Sequence, residues 1–98
     1  MEALLSNVNT TTRSEAINGN GADLHFIIYA TDFGGGDVAL EASVDKVTWV
    51  PIIQSDGNAA TFTSNVSVVI PKVHRTAWIS AVFTEDGGTP DDVNVYVG

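Results

Sequence analysis

His25 and His74 are the two imidazoles of this 98-residue chain, which has no cysteine. Two histidines make a metal site only where they converge with a further ligand such as a carboxylate. His25 sits inside an apolar run and His74 stands next to Arg75 near the start of another. Those surroundings favour a simpler reading, with one half-buried ring and one surface ring. Nucleophilic catalysis needs a hydroxyl positioned by a base, and no G-x-S-x-G elbow occurs. The many Ser and Thr residues instead alternate along extended segments, where hydroxyls suit a solvated face.

The carboxylates suit catalysis no better. Glu85-Asp86 and Asp91-Asp92 are adjacent pairs, and strand neighbours point to opposite faces. They do not form the facing pair that glycoside hydrolysis uses. The segment from Asp86 to Asp92 offers the loop carboxylates and carbonyls that calcium takes, but without EF-hand spacing. A solvated acidic turn accounts for it more simply. Gly34-Gly35-Gly36 lacks the Lys-Ser/Thr and the following helix of a phosphate loop, so it reads as a flexible turn. The sequence therefore predicts no enzyme, no catalytic residue, no metal and no cofactor. What is left is surface: Tyr29 and Trp49 are candidate binding aromatics whose ring faces could stack on sugars. Trp78, between Ala77 and Ile79, reads as core.

The elements that would position these residues are strands. Leu24–Ala30 is nearly continuous apolar sequence, as in a central strand covered on both faces. Val38, Leu40, Ala42 and Val44 alternate with Ala39, Glu41 and Ser43, the period-2 pattern of a half-buried strand. Asp45-Lys46 reads as a hairpin tip, and Val47–Ile53 as a return strand whose Pro51 confines it to an edge or a bulge. Ser55–Asn58 is a turn, Ala60–Thr63 a weak strand, and Val66–Ile70 a strand stopped by Pro71. Thr76–Thr84 is a second apolar run, and Val93–Val97 alternates again. No ten-residue stretch has helical periodicity. The expected class is all-β: an antiparallel sandwich, immunoglobulin-like or jelly-roll, of about seven or eight strands.

Residues 1–21 read as an extended N-terminal arm and 22–98 as the sandwich domain. The arm is polar and rich in turn residues, with a short strand near Ser14–Ile17 and Asn18-Gly19-Asn20-Gly21 as a turn. Its apolar residues Leu4, Leu5 and Val8 are the candidate docking contacts with a neighbouring subunit.

Twelve acidic against four basic residues give a net charge of −8. The four cations form no cluster, and nucleic-acid binding needs a positive footprint. Apolar stretches fall far short of the ~20 residues of a spanning helix. The start, Met1 to Ser6, has no basic region of an export signal. Neither a nucleic-acid nor a membrane partner is expected.

The stretch from Phe33 through Gly34-Gly35-Gly36, the alternating Val38–Val44 segment and Ser43-Val44-Asp45-Lys46-Val47-Thr48-Trp49-Val50-Pro51 resembles a pattern of small tailed-phage virion proteins. There it runs as an aromatic, glycines, an alternating strand, then Ser-x-Asp-Gly-x-x-Trp-Val-Pro. Lys46 stands where that pattern has glycine. Arg75 followed by the apolar strand Ala77–Phe83 is similar to the second half, so the likeness covers most of 22–97. It implies a small β-sandwich serving as a capsid decoration (cement) protein or in a head or tail fibre. It further implies the major capsid protein or other virion proteins as partners, self-association with a trimer favoured, and residence in the virion after assembly in the host cytoplasm. The hairpin also occurs in carbohydrate-binding sandwiches, which is the alternative reading.

Overall fold

The computed structural model describes residues 1–18, 21–72 and 78–98. They form β1 (Glu2–Val8), β2 (Thr12–Arg13), β3 (Ile17–Asn18), β4 (Leu24–Tyr29), β5 (Asp37–Ser43), β6 (Val50–Pro51), β7 (Thr61–Phe62), β8 (Val66–Ile70), β9 (Trp78–Thr84) and β10 (Val93–Val97). The chain is all-β. One sheet, A, runs β1-β10-β4-β8. The other, B, runs β2-β9-β5-β6, with β3 also on β9 and β7 also on β5. All pairings are antiparallel.

One core lies between the two sheets, and the period-2 strands build it. Leu5, Phe26, Ile28, Ile70, Val93, Val95 and Val97 are buried from sheet A; Val38, Leu40, Ala42, Ile79, Ala81 and Phe83 are buried from sheet B. With no disulfide, this burial carries the fold; each fully buried aliphatic or aromatic side chain contributes about 1.5–3 kcal/mol.

Residues 2–18, which read as an extended arm in the sequence, supply strands to both sheets. β1 pairs with β10 as an edge strand of sheet A, while β2 and β3 pair with β9 in sheet B. Leu5 is 3% exposed, and Leu4 and Val8 pack against the core. The segment escaped the period-2 pattern because its register slips between Ala3 and Leu5 and again between Leu5 and Val8. Asn7 takes a left-handed φ of 53° at the second slip, and the Asn94 side-chain oxygen accepts its N–H at 3.0 Å. Bulges of this kind break the alternation that marks a strand. With these short strands the count becomes ten among the described residues, against seven or eight expected. Two strands, β2 and β3, stand in place of one near Ser14–Ile17.

The loop after β5 also differs. The return strand expected over Val47–Ile53 is only Val50–Pro51, at an edge of sheet B. The Asp45 carboxylate accepts the Ser43 hydroxyl and the Val47 and Thr48 amides, each at 2.9 Å. In turn the Ser43 oxygen accepts the amides of Asp45 and Lys46. Amides held this way cannot enter a ladder. Lys46 has φ 63°, a left-handed position that glycine fills more cheaply.

Gly34-Gly35-Gly36 is a clasp, not a slack turn. Asp32 and Asp91 exchange backbone hydrogen bonds of 3.2 and 2.8 Å, and Pro90 is buried beside Gly34. Gly34 has φ +61°, and a Cβ there would lie 2.5 Å from the Pro90 nitrogen and 2.8 Å from the Thr89 carbonyl carbon.

Candidate functional site

The hydroxyls best placed for chemistry are structural. Ser14 and Ser80 are buried with their oxygens 3.3 Å apart. Ser80 donates to the Ser14 carbonyl at 3.0 Å, and Ser14 Oγ accepts the Ala81 amide at 2.9 Å. The Ser14 amide in turn donates to the Ala81 carbonyl. This lock fastens the β2–β3 segment to β9 and meets the rule that buried polar groups must be paired. His25 lies on the outer side of sheet A, its Nε2 hydrogen-bonded to Ser67 Oγ. His74 and Arg75 lie outside the described residues, as does the turn at Gly19-Asn20. Among the described residues no three His, Asp or Glu side chains gather as a metal site would need. A cleft of about 320 Å³ opens between β1 and the β3 segment, lined by Glu2, Ala3, Leu4, Glu15, Ala16 and Ile17.

Tyr29 and Trp49 do not share a surface. In β4, Phe26 and Ile28 point into the core, so His25, Ile27 and Tyr29 point outward. The same alternation puts Asn94 and Tyr96 of β10, Ser67 and Val69 of β8 and Ala3 of β1 on that outer face. Tyr29 and Tyr96 stack there, their ring centroids 6.0 Å apart and planes 5° from parallel. Hydrogen bonding with Tyr96 is the main cause that holds the Tyr29 phenol above its ordinary value; desolvation and the charges of Tyr96 and Asp92 add to it. None of these outward positions is an Asp, Glu, Lys or Arg, in a chain of net charge −8.

Trp49 belongs to the opposite side. The Arg13 guanidinium carbon lies 4.9 Å above its ring centre, and Arg13 is also ion-paired with Glu41 of β5. Lys46 caps the second indole, its Nζ 3.9 Å from the Trp78 ring centre. Both are cation–π contacts, each worth about 0.5–1 kcal/mol at an exposed site. Trp78 is half-buried on the outer side of sheet B rather than in the core, because Ile79 takes the inward position. One face of each tryptophan is thus occupied by the chain's own cations. The loop that carries Lys46 holds Val44 and Val47 out to solvent, 77% and 79% exposed.

Sequence reasoning missed Tyr96, the two cation caps and the exposed valines. Tyr96 was legible as an outward position of β10. Its meeting with Tyr29 follows from the register Tyr96↔Ile27 and Asn94↔Tyr29, which no local pattern carries. Comparison with protein-family models, with curated proteins and with solved structures found no match to this chain.

Proposed function

We propose that this chain is a structural protein of a tailed-phage particle, a capsid decoration subunit that self-associates and docks on the major capsid protein or another virion protein. The observation that carries the reading is the stretch 33–51 and its resemblance to small virion proteins. Here it forms β5, a turn caged by Asp45, a tryptophan returning over the sheet and a proline at the edge. In fold terms the reading makes the two sheets a small virion sandwich of immunoglobulin-like or jelly-roll type. The outer face of sheet A, whose outward strand positions hold no Asp, Glu, Lys or Arg, is a surface suited to docking, since covering it desolvates no carboxylate, ammonium or guanidinium, and Val44 and Val47 add an apolar loop tip. Three copies are expected, by analogy with proteins seated at three-fold positions.

The N-terminal segment contributes by exchange. β1 leaves its own β10 and pairs with that of a neighbour, so that Leu4, Leu5 and Val8 fill the equivalent place in another copy. Antiserum against the chain, used for immunogold labelling of purified particles, should decorate the heads evenly. Unlabelled particles would refute the proposal.

A second reading, a carbohydrate-binding module of a fibre or adhesin, is favoured by one observation. Tyr29 is 40% exposed on a stacked, pre-set platform. Glycan-array binding abolished by Tyr29→Ala would support it; an array without signal would remove it.

A further inference from the structure

The four edges of the two sheets are not treated alike. β1 is broken by two register slips and begins with Glu2. On sheet B one side is formed by the two-residue β2 and β3 with Arg13, the other by the two-residue β6 and β7 with Pro51. Bulges, short strands, charges and prolines are the usual means of keeping a sheet edge from pairing with another chain. β8 has none of them. Val66-Ser67-Val68-Val69-Ile70 pairs with β4 over five residues with no register slip. It is the last strand of sheet A, and no described strand lies on its other side. Pro71 and Lys72 come only after it.

We infer that β8 is a self-pairing edge, on which β8 of a second copy adds antiparallel about a two-fold axis to give one continuous sheet. Two observations select a second copy as the occupant. First, the strand is self-complementary. Centred on Val68, the two-fold register sets Val66 opposite Ile70 and Ser67 opposite Val69, so apolar inner positions meet apolar ones and outward positions meet outward ones. Second, neither the strand nor the outward strand positions beside it hold an Asp, Glu, Lys or Arg, in a chain of net charge −8. Two such chains repel over most of their surfaces, and this edge lets them meet with no carboxylate opposite a carboxylate. Repulsion between exposed charges is screened by salt, so the pairing strengthens as ionic strength rises.

The inference rests on the edge alone and stands or falls separately from the virion reading. Sedimentation equilibrium from about 1 µM to about 1 mM should show a monomer–dimer equilibrium that tightens from about 0.05 M to about 0.5 M NaCl. Ser67→Lys/Val69→Lys and Ser67→Glu/Val69→Glu each set like charges opposite one another and weaken the dimer roughly tenfold or more. Mixed in equal amounts, the two variants pair again. Should a variant fail to fold, hydrogen exchange on the unaltered chain reads the same contact, with protection of 66–70 rising with protein concentration. A chain that stays monomeric, or an assembly of any size unmoved by both variants, overturns the inference. So does β8 exchange that is independent of concentration.

Discussion

Replacing Gly34 by alanine asks two things of the structure at once. At φ +61° an alanine pays about 1–2 kcal/mol for a left-handed backbone. Its Cβ would also lie 2.5 Å from the Pro90 nitrogen and 2.8 Å from the Thr89 carbonyl carbon, both backbone atoms that no rotamer change can move. Forced overpacking costs about 1–3 kcal/mol, so the sum is about 2–5 kcal/mol. Two neighbours separate the contributions. Gly35 has φ +79° with its nearest atom at 3.7 Å, and Gly87 has φ +76° with nothing within 4 Å. Gly35→Ala and Gly87→Ala should therefore cost only the backbone part, about 1–2 kcal/mol. Urea unfolding followed by tryptophan fluorescence gives all three values, and thermal melts should agree at about 4–8 °C per kcal/mol. Equal costs at Gly34 and Gly87 would refute the packing of the 32–36 loop against the 86–91 loop.

Three further perturbations test other joints. Leu5→Ala should cost about 2–5 kcal/mol in urea unfolding, because Leu5 is buried in the core; a frayed arm would give almost nothing. Ser14→Ala strands the Ala81 amide and should cost about 1–3 kcal/mol, more than Ser80→Ala, which leaves a carbonyl to be satisfied elsewhere. Asp45 is held below its ordinary value of 3.8 by the Thr48 and Val47 amides and the Ser43 hydroxyl. Its contribution to stability is therefore present above the ordinary carboxylate range and is lost as pH falls through the lowered native value. Asp45→Asn should lower the melting temperature at neutral pH and flatten its decline in acid, and an unchanged acid profile would contradict the cage.

Much of the fold was legible where a strand kept one face in the core. Val38, Leu40 and Ala42 alternate as written and are buried as written, and Pro51 lies at a sheet edge as a residue without an amide proton must. Sequence pattern failed where side chains or glycines overrode local propensity. Asp45 captures the amides that would have extended the return strand, and two bulges hide β1 from a period-2 reading. The candidate surface was legible only in pieces. Tyr29 was singled out, but its partner Tyr96 lies 67 residues away and meets it only because β10 closes between β1 and β4. Trp49 is legible as a candidate binding aromatic, but Arg13, remote in sequence, covers one side of its ring.

As proposed, this chain is built into a phage particle. Quantitative mass spectrometry of virions purified from the culture that encodes it measures its copy number against the major capsid protein. A fixed stoichiometric ratio, retained through a density gradient, is the predicted result; absence of the chain from the purified particles would contradict it.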